Sequence, residues 1–258
     1  MSGVSRETKV ISIANQKGGV GKTTTAVNLT ACLSSLGKKV LLCDFDPQGN
    51  ATSGLGVRAK EGESAYDMLL SGESAADYLV STKHGYLLPA DTRLAAAEQE
   101  IANREGRAVL LRRALEDIRG QFDYVFIDCP PSLGLLSING MAAGDTVLIP
   151  MQCEYYALEG LSQIIASIRT IKNGINPALD IEGILLTMYD GRTNLTIQVS
   201  EEIKKHFGKK VYKTAIPRNV RLSEAPSHGM PVIEYDRLSR GAEAYMEVAR
   251  EFIKRQKG

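Results

Sequence analysis

The feature that most restricts what this chain can fold into is the run KGGVGKTT, comprising Lys17, Gly18, Gly19, Val20, Gly21, Lys22, Thr23 and Thr24. It follows a short aliphatic stretch, Val10–Ala14, and opens a stretch with helical spacing, Thr23–Leu36. Strand, glycine-rich turn and helix make the context in which such a run cradles phosphate. Glycines let backbone N–H groups turn inward around phosphate oxygens with no Cβ in the way. The helix that begins near Lys22 points the positive end of its dipole at the same anions. In such a cradle Lys22 bridges the β- and γ-phosphates of a nucleotide, and the Thr23 hydroxyl ligates Mg²⁺. The ordinary spacing, Gly-x-x-x-x-Gly-Lys-Ser/Thr, would put its first glycine where Gln16 stands; the compact form KGGVGKT is met throughout.

The runs Val40–Cys43, Tyr124–Ile127, Thr146–Ile149 and Ile184–Thr187 are likewise aliphatic and do not alternate with polar residues. Such runs belong to strands buried on both faces of a parallel sheet. Helical spacing recurs over Arg107–Ile118, Leu158–Ile171 and Leu238–Lys254. In the last of these Leu238, Ala242, Tyr245, Ala249 and Phe252 share a face, predicting a helix laid on the sheet. The alternation predicts an α/β fold with a doubly wound, mostly parallel sheet. Residues 54–105 carry the weakest pattern, with short helices expected at Ala65–Leu70 and Leu94–Asn103 and a strand at Tyr86–Pro89. No linker, repeat or low-complexity tract divides residues 1–258, which read as one domain.

Three acids complete the arrangement. Asp128 ends the run Tyr-Val-Phe-Ile, while Asp44 and Asp46 follow Val-Leu-Leu-Cys in DFDPQGN. Ligands of open α/β sheets bind at the carboxyl ends of strands, so all three acids converge on the glycine loop. A carboxylate in the position of Asp128 sits beside Mg²⁺ and its waters. One Asp after a strand is commonly a turn or cap residue. Three on two strands, beside a phosphate cradle, point to chemistry.

Cys32, Cys43, Cys129 and Cys153 form no CxxC pair and read as packing residues. The start, MSGVSRETK, has no apolar leader core, and no segment approaches the ~20 apolar residues that span a bilayer, so the chain is expected in the cytoplasm. Net charge is only +1, but it is unevenly spread: residues 191–258 hold 14 basic and 8 acidic side chains, against 17 and 22 in residues 1–190. Between Lys204 and Arg221 there are seven Lys or Arg and no acid, the pattern of a local anion-binding face.

Together, KGGVGKTT, DFDPQGNATSGLG, DYVFIDCPPSLG, PMQCEYYALEG and IPRNVRLSEAPSHG resemble, in this order, the blocks of the ParA/Soj family of partition ATPases. These are P-loop NTPases of the deviant Walker A type, and the likeness runs from about Lys9 to Arg250. The first block alone would also admit MinD, nitrogenase iron-protein-like carriers and cobyrinate synthases; DPQGNATSGLG and IPRNVRLSEAPS narrow it. The resemblance implies ATP and Mg²⁺ as cofactors, a homodimer closed around ATP, and binding to double-stranded DNA without sequence preference. It also implies slow hydrolysis stimulated by a ParB-type centromere-binding protein, and a cytoplasmic, nucleoid-associated location. Lys17 would be the signature lysine that crosses to the partner's nucleotide, with Gly18 where two copies nearly touch. Asp46 would position the attacking water beside Lys17 and Lys22, while Thr23, Asp44 and Asp128 hold the Mg²⁺ shell. Glu154 would reach the partner's nucleotide, and Pro217, Arg218 and Asn219 would frame adenine. Arg192 and Arg221 match basic residues that bind DNA. The cradle begins at Lys17, so no helix-turn-helix is expected upstream of it, nor operator-specific repression.

Two other readings need features that this sequence offers only in part. A MinD-like membrane switch needs an amphipathic tail, and AREFIKRQKG has Phe252 and Ile253 among its basic residues, but the core-facing stripe already claims Phe252. An iron–sulfur carrier needs a second thiolate near Cys129, and Cys153 lies in a different block.

Overall fold

The computed structural model describes residues 8–257. The first seven residues, part of the segment read above for a leader, lie outside the described residues. The chain runs β1 (Lys9–Ile13), α1 (Lys22–Ser35), β2 (Val40–Asp44), α2 (Asn50–Gly54), α3 (Ala65–Ser71), β3 (Val80–Thr82) and β4 (Gly85–Leu88). It continues through α4 (Leu94–Glu100), α5 (Leu110–Leu115), β5 (Tyr124–Asp128), α6 (Leu135–Ala143), β6 (Thr146–Gln152), α7 (Ala157–Gly174) and β7 (Asp180–Thr187). The last helices are α8 (Asn194–Phe207), α9 (Val220–Glu224), α10 (Val232–Tyr235) and α11 (Arg240–Arg255).

The strands form one seven-stranded sheet in the order β3-β4-β2-β5-β1-β6-β7. Every pairing is parallel except β3 with β4. Successive side chains leave opposite faces of a strand, so the aliphatic runs feed two cores. Val10, Leu41, Cys43, Val125 and Ile127 enter one of them, under α3 to α8. Ile11, Ile13, Val40, Leu42 and Phe126 enter the other, under α1 and α11. The open edge of β7 is closed by residues 211–217, which run beside it: Tyr212 N–H donates to Ile184 O at 2.9 Å and Ile216 N–H to Leu186 O at 2.8 Å.

The expected doubly wound sheet is present, with some differences of detail. The last helix begins at Arg240, capped by the Ser239 side chain, and Leu238 stands 88% exposed outside it. Ser239 accepts from Ala242 N–H and so stops the helix from extending back to Leu238. The stretch Arg107–Ile118 holds only the short α5, with a 3₁₀ turn on either side. Short α2, α9 and α10 and the three-residue β3 carry too few residues for a periodic signal. Two longer helices were missed: α6 is buried nearly all round and shows no stripe, and the buried face of the 14-residue α8 includes the polar Thr196 and Ser200. Among the described residues no helix is long and apolar enough to cross a membrane.

Candidate nucleotide-binding site

The glycine loop turns at the carboxyl edge of the sheet, between β1 and α1. Gly19 and Gly21 have φ of 74° and 87°, left-handed values open to glycine without strain. Gly21 is the N-cap of α1 and no side chain bonds to that helix's first N–H groups, as an anion site requires. Three braces that sequence reasoning missed hold the loop. Asn15 Nδ2 donates to Pro150 O at 2.8 Å while its Oδ1 accepts from Lys17 N–H at 3.0 Å. Gln152 Nε2 donates to Gly19 O at 2.9 Å, and Thr187 Oγ1 donates to Val20 O at 2.8 Å. The signal was available: each is a polar residue at the carboxyl end of an aliphatic run.

Lys22 is buried, with Nζ donating to Lys17 O at 3.1 Å. Burial holds its ammonium below the usual lysine range, against the pull of Asp128 and Asp46. Gly18 differs from Gly19 and Gly21 in that its φ is not positive, and, as at Gly19, a Cβ there would meet nothing within 4 Å. Nothing inside the chain demands a glycine at that position.

β2 and β5 are neighbours with Asp44 in register with Asp128, and both side chains are fully buried. Neither carboxylate oxygen of Asp128 has a partner at full hydrogen-bond geometry, although the Thr23 hydroxyl stands close enough to favour its charged form. Burial raises its pKa well above the usual carboxylate range, and the charge of Asp44 adds to this. A buried acceptor left unpaired is costly, and a hydrated Mg²⁺ would supply both the charge and the donors it lacks. Among the described residues no group of three or more His, Cys, Asp or Glu could hold a metal. A Mg²⁺ here would draw on phosphate oxygens and on Thr23, as this ion commonly does.

Asp44, expected in the Mg²⁺ shell, is also hydrogen-bonded within the chain. Its Oδ2 accepts from both the N–H and the hydroxyl of Thr52, each at 2.7 Å, and its Oδ1 accepts from Asp46 N–H at 3.3 Å. Burial pushes its carboxyl up to about 6 against those bonds. These contacts tie the 46–49 turn to α2. Asp46, also buried, accepts from Gln48 N–H at 2.9 Å. All four cysteines are buried, and burial pushes the Cys153 thiol up to about 11, opposite to what a thiolate ligand needs.

Three further features surround the loop. Pro217, Arg218 and Asn219 line a cavity of about 290 Å³ together with Gly21, Thr24 and Thr187. Lys17 and Glu154 form an ion pair within the chain, both about half exposed. On the other flank, Glu98 of α4 accepts from Leu136 N–H at 2.9 Å, capping α6 and pinning the loop that follows Asp128.

The basic residues do not make the single face that their run in sequence suggested. Lys204 and Lys205 lie along α8, with the charge of Lys204 reaching Cys153 beyond β6, while Lys210 after that helix pairs at 2.8 Å with Asp180, the first residue of β7. Residues 211–217 then run beside the chain from Ile184 to Tyr189, roughly 20 Å at ordinary strand rise. They deliver Arg218 and Arg221 to the carboxyl edge, where Arg218 N–H donates to Tyr189 O at 3.4 Å. Arg192 is there too, paired with Asp190 at 2.7 Å, while Arg221 pairs with Glu224 at 2.8 Å and Asp236 at 3.2 Å. Exposed Arg237 and Arg240 adjoin Asp236 and were not singled out from sequence.

The AAA domain family matches residues 8–181. The sporulation initiation inhibitor protein Soj of Bacillus subtilis is 58% identical over 246 residues, 94% of this chain and 97% of its own. The chain belongs to the ParA/Soj family of partition ATPases. The chromosome partitioning protein ParA of Myxococcus xanthus, a further relative, is 52% identical over 250 residues, 96% of this chain and 88% of its own. Among solved structures, cobyrinic acid a,c-diamide synthase of Mycobacterium smegmatis with bound ADP and magnesium has a TM-score of 0.84 at 39% identity, covering 97% of this chain and 96% of that one. MinD of Pyrococcus horikoshii, complexed with Mg-ADP, has a TM-score of 0.79 at 27% identity, covering 95% of each. The scaffold is therefore shared with non-partition proteins, while the sequence blocks around it are those of ParA/Soj proteins.

Proposed function

We propose that this chain acts as one ATPase domain over residues 1–258, in which two copies close face to face on Mg-ATP, bind double-stranded DNA without sequence preference and release it after hydrolysis. The observation that carries this reading is the pairing of an uncapped helix N-terminus with the orphaned carboxylate of Asp128, with Lys22 buried between loop and acids. In the proposed site the N–H groups of residues 18–24 and the Lys22 ammonium hold the nucleotide phosphates. Thr23 and Asp128 would hold Mg²⁺, which when bound offsets charge on the β- and γ-phosphate oxygens. Asp46 orients water for attack, and Asp44 keeps Asp46 in position through the turn it anchors. Pro217, Arg218 and Asn219 frame the adenine.

Two features support the face-to-face pairing. Gly18 opens onto free space, so its lack of a side chain suits close approach by another molecule. Lys17 is half exposed and tied only to Glu154, so both can turn to a partner's nucleotide. Two triphosphates brought together repel, and a crossing ammonium from each side offsets part of that.

Arg192 and Arg221 supply the DNA contacts at the same carboxyl edge. Each is partly neutralised by its own carboxylates, which makes one copy a weak binder. Doubling the patch matters because the logarithm of affinity shifts with salt by about −0.9 per phosphate contact. Nucleoid association follows from DNA binding, and a ParB-type protein is the proposed stimulator of hydrolysis. The full burial of Phe252 supports the expectation of no membrane partner.

The test is molecular mass and DNA retention measured with a non-hydrolysable ATP analogue, with ADP and without nucleotide. A dimer that retains DNA only with the analogue is expected. A chain that stays single when saturated with Mg²⁺ and the analogue overturns the reading. Asp46→Ala should hold the dimer on DNA in ATP itself, and hydrolysis at the parental rate would remove Asp46 from the chemistry.

A further inference from the structure

We propose that Tyr155 and Tyr156 are the apolar anchors through which a second copy of this chain seats on the nucleotide edge. The assignment rests on the dimer reading above and names the side chains that hold it together.

The two rings are 76% and 68% exposed and meet edge to face with centroids 5.0 Å apart. Adjacent tyrosines this exposed are an apolar patch with a polar rim, the kind of surface that marks protein contact. Their position ties them to the phosphate loop. They follow Gln152, whose amide holds Gly19 O, and Glu154, which pairs with Lys17. Two more exposed apolar side chains border the same loop. Leu133 lies on the opposite flank, after Asp128, and Met188 follows β7 with its sulfur 2.8 Å from Gln152 Nε2. Met188 has a φ of 48°, the one positive φ at a non-glycine position among the described residues. All four exposed side chains follow strands whose carboxyl ends flank the loop, β5, β6 and β7, so Lys17 and Glu154 form a charged centre that the collar of loops surrounds.

The charges inside the collar select the occupant. Lys17 and Glu154 are opposite in sign, half exposed and next to the rings. A two-fold related copy would set the same pair against them, lysine to glutamate in both directions, so the patch is complementary to itself. A polyanion gains from Lys17 only what it loses to Glu154. Gly18, open and without a side chain, leaves the two loops room to approach. Rings buried at such an interface exclude water from the phosphates, which strengthens each charge that crosses it.

The experiment compares parental chain, Tyr155→Ser with Tyr156→Ser, and Tyr155→Phe with Tyr156→Phe, by sedimentation with Mg²⁺ and a non-hydrolysable ATP analogue. The parental and Phe proteins should dimerise alike, and the Ser protein about tenfold more weakly or worse. ADP affinity and melting temperature of the Ser protein should match the parental values, because the rings touch neither cradle nor core. A Ser protein that dimerises with parental affinity overturns the assignment and leaves the rings to some other partner. If the parental chain itself stays single, the dimer reading fails first and the anchors fail with it.

Discussion

Buried, and with only the nearby Thr23 hydroxyl to favour its charge, Asp128 burdens the folded chain until a proton, or a bound cation and its waters, relieves it. Its sign in a pH experiment can be worked out. The carboxyls of Asp128 and Asp44 both sit above their ordinary value of 3.8, Asp44 at about 6 and Asp128 well above that ordinary value. The folded chain therefore binds these protons more tightly than the unfolded one. Their stabilising contribution is complete below pH 3.8 and is lost as pH rises through about 6 and beyond. Asp128→Asn removes the charge with little change of shape. Nucleotide-free, it should melt about 2–4 °C above the parental chain near pH 8. That gap should close on acidification, in calorimetry across the range, while ATP turnover falls. A gap that widens at low pH would contradict the assignment. Lys22→Ala should abolish nucleotide binding, measured by titration calorimetry. Lys22 and Asp128 were legible because a motif and a strand end announce them. Asn15, Gln152 and Thr187 were not, since a polar residue at a strand end has many uses until the loop it braces is seen.

At the scale of elements, strands buried on both faces wrote themselves into the sequence as aliphatic runs, and each run became a strand in one sheet. Helices with one wet face, such as α7 and α11, were legible for the same reason. α6 was not, because its surroundings are apolar on nearly every side. Its N-terminus is equally hidden from sequence. Gly134, the N-cap residue, has no side chain to offer, and the cap comes from Glu98 on α4, 38 positions away from Leu136. A carboxylate there satisfies an N–H group and faces the positive end of the helix. Glu98→Ala should cost about 1 kcal/mol in chemical denaturation. Because the same contact pins the loop after Asp128, it should lower kcat more than it raises KM for ATP. Unchanged denaturation and unchanged kcat would leave Glu98 without either role.

Across the whole molecule, charge is where sequence and structure part. Seven basic residues without an acid between them look like one face, yet 211–217 run beside β7, with Lys210 paired to Asp180 at its start and Arg218 bonded to Tyr189 beyond its end. At the carboxyl edge, Arg192 meets Asp190, and Arg221 meets Glu224 and the more distant Asp236, acids that all lie outside the run Lys204–Arg221. Arg192→Glu with Arg221→Glu should abolish DNA retention while leaving the analogue-dependent dimer intact, in parallel retention and sedimentation measurements. The DNA face would belong to the lysines between Lys204 and Lys210 if retention were unchanged. What the sequence determined by itself was whatever depends on neighbours along the chain: the glycine turn, the buried strands, the family blocks and the acid that ends β5. Only the tertiary structure decided which side chains from distant segments share a site. Asp44 turned to Thr52, Glu98 came to α6, and the basic run was split. Those outcomes follow from packing the strands and helices into one sheet, and no local pattern encodes that packing.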